Sequence, residues 1–261
     1  MARAIPLIFP PDSRFVSDVA ASPNFEERVG GRKPDMLLLH YTGMQSSLAA
    51  LARLRDENDP RVSSHYFIDD EGTIIQLVPE DRRAWHAGLA SWAGESDINS
   101  CSIGIEIANP GHDFGYPDFP PHQIGALIAL CKDIVARHKI RADRVLAHSD
   151  VAPGRKQDPG EKFPWQRLHE QGVGHWVAPA LIEDAPFLGV GDCGSGVSEL
   201  QMLLADYGYG ISMTGNYDAA TRDVVAAFQR HFRPARIDGV ADASTRTTLA
   251  DLIAARPAAS A

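Results

Sequence analysis

Along the first two thirds of the chain, short unbroken apolar runs alternate with amphipathic stretches. Met36-Leu37-Leu38-Leu39 is a continuous apolar run, the pattern of a strand buried on both faces, and it ends at His40 and Tyr41 on the rim of a sheet. Ser46 to Arg55 predicts a helix with Leu48, Leu51 and Leu54 on one face and Ser46 or Ser47 as its cap. Ser64 to Asp69 and Thr73 to Val78 flank Asp70-Glu71-Gly72, which predicts a hairpin with glycine in its turn. Ser102 to Ile107 alternates strictly. Ile103, Ile105 and Ile107 share one side, and Glu106 stands on the other beside the small residues Ser102 and Gly104, with room above them. Beyond Pro120-Pro121, the positions Ile124, Leu127, Ile128, Cys131, Val135 and His138 keep the helical period, with proline suited to the first turn. Arg144 to His148 is a further short strand that again delivers a histidine to its end.

The pattern lapses after Trp176. Val177 to Asp192 mixes Pro179, Pro186, Gly189 and Gly191 with short apolar residues, the composition of a linker. The remainder of the chain carries a repeat: Gly215-x-x-Asp218-Ala219-x-Thr221-Arg222 returns 24 residues later as Gly239-x-x-Asp242-Ala243-x-Thr245-Arg246 (239 − 215). Each aspartate is placed to cap a helix, one burying Val224, Val225 and Phe228 and the other Leu249 and Ile253. With an earlier helix running from Val197 through Leu200, Leu203, Leu204 and Tyr207, this predicts three packed helices. The organisation expected is a first domain over 1–176, a linker over 177–192 and a small helical domain over 193–261, frayed from Arg256 onward.

Composition narrows the classes. In 261 residues, 44% hydrophobic and 23% charged, there is material for a sizeable core. Against 34 acidic residues stand 25 Lys and Arg, a formal charge of −9 that repels a phosphate backbone, so nucleic acid is not an expected partner. Cys101, Cys131 and Cys193 lie far apart, form no CxxC pair and read as small core residues. The apolar stretch from Ala4 to Phe9 is broken by Pro6 and closed by Pro10-Pro11. It is too short for a signal peptide or a membrane span, which makes the cytoplasm the expected compartment.

The candidate chemistry lies in the histidines, of which there are ten. His40 and His148 each end an apolar run, where a rigid sheet can aim them into a rim site. Asp158 follows His148 after a loop stiffened by Pro153 and Pro159 that can fold back beside it. Two imidazoles and one carboxylate suit Zn²⁺ with one open position. Glu106, on the open face of its strand, can manage protons, and Lys156, on the Asp158 loop, can hold an oxyanion. The same residues also read as capped strand ends, an ion-paired glutamate and a solvated lysine.

The run His148-Ser149-Asp150-Val151-Ala152-Pro153-Gly154-Arg155-Lys156-Gln157-Asp158-Pro159-Gly160 resembles the zinc-and-lysine loop of the N-acetylmuramoyl-L-alanine amidases, which share a fold with the peptidoglycan-recognition proteins. Leu39-His40-Tyr41-Thr42, Ala84-Trp85-His86-Ala87-Gly88 and Ser102-Ile103-Gly104-Ile105-Glu106 are similar to the same family in the same order, so the resemblance spans about residues 30–170. It implies an α/β fold, a mixed β-sheet flanked by helices with zinc in a groove at its edge. It also implies one Zn²⁺ on His40, His148 and Asp158, Glu106 as general base or acid, and Lys156 as the oxyanion partner. The bond implied joins N-acetylmuramic acid, or its 1,6-anhydro form, to L-alanine of the stem peptide. For substrate binding the resemblance points to Tyr41, Arg61, His65, Trp85 and His86. Arg61 can meet a stem-peptide carboxylate or be a solvated loop arginine. The histidines can instead be packed or support a ligand, and Trp85 can be core or a wall for sugar rings. The C-terminal repeat is similar to small three-helix peptidoglycan-binding domains, on residues that mostly build turns, caps and core.

The expected protein is a monomeric zinc amidase of peptidoglycan turnover or recycling, whose partners are peptidoglycan fragments or murein. Two rivals stand beside it: a non-catalytic peptidoglycan-recognition protein, and a glycosidase using Glu106 with another carboxylate. A wall-binding module favours the periplasm or cell envelope as the alternative compartment.

Overall fold

The computed structural model describes residues 9–183 and 186–257; the apolar N-terminal stretch up to Ile8 and the tail beyond Pro257 lie outside these. The chain runs through β1 (Asp18–Val19), β2 (Phe25–Glu27), β3 (Met36–Tyr41), α1 (Ser47–Arg53), β4 (Tyr66–Ile68), β5 (Ile74–Gln76), β6 (Arg82–Ala84), α2 (Ile98–Cys101) and β7 (Ser102–Ile107). It continues with α3 (Pro121–His138), β8 (Val145–Ala147), α4 (His148–Val151), α5 (Trp165–Glu170), α6 (Ser195–Tyr207), α7 (Ala219–Phe232) and α8 (Ala243–Ala254). Six strands form one mixed sheet in the order β1-β5-β4-β7-β3-β8, and β2 pairs with β6 in a separate ribbon. The centre is parallel, with β3 between β7 and β8, while β4 and β5 make the expected antiparallel hairpin. Among the described residues no helix is long and apolar enough to cross a membrane.

The alternation read from β7 separates two cores. Ile103, Ile105 and Ile107 pack with Leu37 and Leu39 beneath α3, whose Ile124, Leu127, Leu130, Cys131 and Ile134 are buried against them. Each such side chain contributes about 1.5–3 kcal/mol on full burial. Val135 packs against the same core from a half-buried position, whereas His138 turns instead to Glu80, its Nε2 lying 2.6 Å from Oε2. On the opposite face, Met36 and Leu38 join Leu146, Val151, Trp92 and Cys101 in a cluster that runs without interruption into Val197, Leu204, Val224, Phe228 and Leu249 of the C-terminal helices.

Other expectations require correction. The α1 helix is capped by Ser46, which accepts from the Ala49 N–H, and Leu54 is buried with Ala50 while Leu51 packs against the same cluster, as expected; Leu48 alone departs, 76% exposed, because the packed face turns through Ala50 instead. Cys101 and Cys131 are core residues, whereas Cys193 is exposed in the approach to α6. His148 does not end a strand. It opens α4, because Asp150 folds back to accept from the Ala147 N–H at 2.8 Å and turns the chain there.

In the C-terminal half, Asp218 and Asp242 cap α7 and α8 through the Thr221 and Thr245 N–H groups, as the repeat predicts. The segment expected to be a linker holds no helix or strand among its described residues, yet it is tied to α8. Ala180 N–H donates to Thr248 Oγ1 at 3.0 Å, and Ser244 Oγ donates to the Ala180 carbonyl at 2.7 Å.

Candidate active site

His40 and Glu106 are register partners on the parallel strands β3 and β7, so the sheet holds both side chains on one face at its rim. His148 enters from the adjacent strand β8 through α4. Asp158 is brought back beside it by a loop whose ends are joined by the Ser149 N–H donating to the Asp158 carbonyl at 3.0 Å. His40 Nδ1, His148 Nδ1 and Asp158 Oδ2 then stand 3.0–3.1 Å from one another, and all three residues are buried.

Hydrogen bonding fixes which ring nitrogens carry protons. Ser102 Oγ must donate to the Ile98 carbonyl at 2.6 Å, since a carbonyl only accepts. Ser102 Oγ therefore accepts from His86 Nε2–H at 3.3 Å, which leaves His86 Nδ1 bare to accept from His40 Nε2–H at 3.0 Å. His148 Nε2–H donates to the Ala87 carbonyl, also at 3.0 Å. Both inward-facing Nδ1 atoms are consequently lone pairs, and with the carboxylate oxygen they make three acceptors around one point with no hydrogen between them. Burial and the neighbouring His148 push the His40 imidazole down to about 4. Such a triangle needs a cation. Ligands about 2.0–2.1 Å from a tetrahedral zinc stand about 3.3–3.4 Å apart, within about 0.3 Å of this spacing, so the donor set fits that metal.

Glu106 opens to the same cleft, yet its Oε2 is sealed with no hydrogen-bond partner among the described residues. Burial, then the Asp158 charge, pushes its carboxyl well above the ordinary value, against the pull of Lys156. Lys156 lines the cleft, which measures about 410 Å³, together with Tyr41, Trp85, His86, His112 and Arg155. That size suits a small ligand. The Tyr41 hydroxyl stands 2.9 Å from His112 Nδ1, and burial, then Asp158, raises it to about 12.

Among the residues expected to bind substrate, two are placed elsewhere. His65 is fully buried behind Gly104, where its Nδ1 accepts from the Gly104 N–H and its Nε2–H donates to the Arg82 carbonyl, both at 3.0 Å; it does not line the cleft. Arg61 sits outside, its guanidinium 5.2 Å from the centre of the Trp85 ring and 3.4 Å from Asp59. Trp85 is a wall of the cleft, anchored by its Nε1–H to Glu26. His86 also lines it, but both of its ring nitrogens are engaged by protein groups. The room expected above Gly104 is filled by the His86 ring, and a Cβ at Gly104 would lie 2.6 Å from it.

Residues without a clear signal in the sequence complete the cleft. Arg155 clamps the loop to the Ala87 and Leu89 carbonyls. Asn99 Oδ1 accepts from the His86 and Ala87 N–H groups and so holds the segment that orients both imidazoles. Arg155 lies inside the His148–Gly160 motif, which could have marked it; nothing local marks Asn99 or His112.

Comparison with known proteins shows the family. The sequence model of the N-acetylmuramoyl-L-alanine amidase family matches residues 30–161, and that of a putative peptidoglycan binding domain matches 193–249. N-acetylmuramoyl-L-alanine amidase AmiD of Escherichia coli is 42% identical over 232 residues, 81% of this chain and 79% of its own. The 1,6-anhydro-N-acetylmuramyl-L-alanine amidase AmpD of Salmonella typhimurium is 34% identical over 170 residues, 56% of this chain and 85% of its own. The solved AmiD from E. coli, in complex with anhydro-N-acetylmuramic acid-L-Ala-D-gamma-Glu-L-Lys, superposes with a TM-score of 0.72 at 36% identity, covering 88% of this chain and 97% of that one. AmpDh3 from Pseudomonas aeruginosa, in complex with anhydromuramic pentapeptide, gives 0.69 at 32%, covering 84% and 91%. Likeness of this extent in sequence and fold, around a buried His-His-Asp cluster at a sheet rim, means that the chain belongs to the N-acetylmuramoyl-L-alanine amidase family and is an amidase of peptidoglycan.

Proposed function

We propose that His40, His148 and Asp158 hold one zinc ion through Nδ1, Nδ1 and Oδ2, and that the enzyme releases stem peptides from soluble 1,6-anhydromuramyl peptides. The observation that carries this is the convergence of three bare acceptor atoms, which only a cation stabilises. Zinc bound there supplies Lewis acidity and makes water nucleophilic at neutral pH. Glu106, which lines the cleft, takes a proton from the attacking water as the carboxylate and, with the affinity for a proton that its burial gives it, returns that proton to the departing L-alanine amine. The Lys156 ammonium, on the same cleft wall, faces the negative charge that grows on the carbonyl oxygen. Trp85 and Tyr41 bound the space in which sugar and peptide are held. The complexes of AmiD and AmpDh3 with anhydromuramyl peptides support this substrate form. We assign residues 1–176 to catalysis and the helices from 193 onward to the peptidoglycan-binding type.

The test is zinc content and product formation from an anhydromuramyl tripeptide and from intact sacculi, before and after chelation. Rates at least tenfold higher on the soluble substrate, abolished by chelation and restored by zinc, are expected. His148→Ala loses metal and turnover together; full zinc occupancy in that variant overturns the ligand assignment.

A further inference from the structure

The residues that hold α4, and with it His148, come partly from the far end of the chain. Asp150 is completely buried two residues beyond His148. Its Oδ2 accepts from the Ala147 N–H at 2.8 Å, closing the turn that aims the histidine. The carboxylate needs further donors, and both come from the C-terminal helices. Tyr209, just after α6, donates its hydroxyl to Oδ1 at 2.8 Å, and His231 of α7 donates Nδ1–H to Oδ2 at 2.6 Å. The His231 ring is itself fixed by stacking on Trp165, with centroids 3.7 Å apart.

A second set of contacts holds the other side of His148. The Ser91 N–H donates to the Val151 carbonyl at 2.8 Å, and the Ala93 N–H to the Gly208 carbonyl at 2.7 Å, so the segment that supplies the Ala87 acceptor is also pinned to the C-terminal half. Gly208 has φ +136° and lies against Trp92, where a Cβ would come within 2.5 Å of the indole. A flexible tether between a catalytic unit and a wall-binding unit requires none of this.

We infer that Tyr209 and His231 are positioning residues of the amidase centre: through Asp150 they set the seat of His148, so the C-terminal helices are part of the metal site's scaffold. The inference rests on His148 being a zinc ligand, as the proposed function has it. An unpartnered buried Asp150 would let α4 shift, and supports of this kind commonly change metal affinity or activity 10–100-fold.

The experiment uses the full-length zinc enzyme with Tyr209→Phe, His231→Ala, His231→Asn and His148→Ala. Zinc affinity is measured by competition with a chelating dye, the ligand field from the visible spectrum of the cobalt-substituted protein, and kcat and KM on an anhydromuramyl tripeptide. Tyr209→Phe, which deletes one hydroxyl, is expected to weaken zinc binding about tenfold and lower kcat with KM within twofold of wild type. His231→Ala does the same more strongly with an altered cobalt spectrum, and His231→Asn, whose amide can donate from the Nδ1 position, restores most of the loss. If His148→Ala retains zinc, the ligand assignment itself falls. If His148→Ala loses zinc while Tyr209→Phe and a folded His231→Ala bind it within twofold of wild type, the positioning inference alone is overturned. It is equally overturned if His231→Asn is no better than His231→Ala.

Discussion

Replacing Glu106 by Gln keeps the shape of the side chain and removes only its capacity to exchange a proton. Proton transfer by a positioned side chain is worth about 10²–10⁴ in rate, or about 3–5 kcal/mol of barrier, so kcat on an anhydromuramyl peptide is expected to fall by that factor with zinc content unchanged. The pH profile supplies a second reading. Glu106 must be ionised to accept a proton, so the acid limb of kcat/KM that it sets vanishes in Glu106→Gln; in the metal-free protein burial, then Asp158, pushes this carboxyl above its ordinary range. Stability moves oppositely. A group whose folded-state pKa is raised stabilises the fold fully below its unfolded value and loses that contribution as pH rises through the folded value. Each unit of elevation costs about 1.4 kcal/mol above that pKa. Metal-free Glu106→Gln is therefore expected to melt above metal-free wild type at pH 8, with the difference closing as pH falls below 4. The assays are steady-state kinetics by chromatography of released peptide and thermal melts from pH 4 to 8. A Glu106→Gln enzyme within tenfold of wild-type kcat, or one that has lost its zinc, refutes the role assigned to this residue.

Three other outcomes are expected. Lys156→Ala should lower kcat about 10²–10³-fold while retaining metal, as removal of a charged oxyanion partner does; an unchanged rate makes it a bystander. Gly104→Ala forces a methyl into the His86 ring, so a loss of about 1–3 kcal/mol in chemical unfolding should accompany weaker zinc binding, and a stability equal to wild type would contradict the close approach. Trp92→Ala empties a site shared by Tyr207 and Tyr209 and should cost about 3–5 kcal/mol. Because one apolar cluster spans both halves, calorimetry of wild type and this variant should show a single transition; two separate transitions would mean that the halves melt independently.

Much of the site was legible because its signals are local. A strand that is apolar to its end delivers His40 to a rim, strict alternation in Ser102–Ile107 puts Glu106 opposite three isoleucines, and a proline-stiffened loop joins His148 to Asp158. The caps of α7 and α8 were visible in the repeat for the same reason: a capping aspartate acts on an N–H three residues away. Which of the alternatives held for Arg61 and His65, one beside the Trp85 ring outside the cleft lining and the other packed behind Gly104, was not legible, because a segment's similarity says nothing about which side of the backbone faces the cleft.

By itself, then, the sequence determined the central strands β3, β4, β5, β7 and β8, the helices α1, α3 and α6 to α8, and residue types able to meet a metal, since hydrophobic period and capping depend on neighbours within a few positions. Only the tertiary structure decided which nitrogens of His40 and His148 are bare, that His86 fills the space over Gly104, and that Tyr209 and His231 reach Asp150. Those facts depend on hydrogen bonds between residues 16 to 81 positions apart, where donor and acceptor become partners only after the sheet and the C-terminal helices have closed on one another.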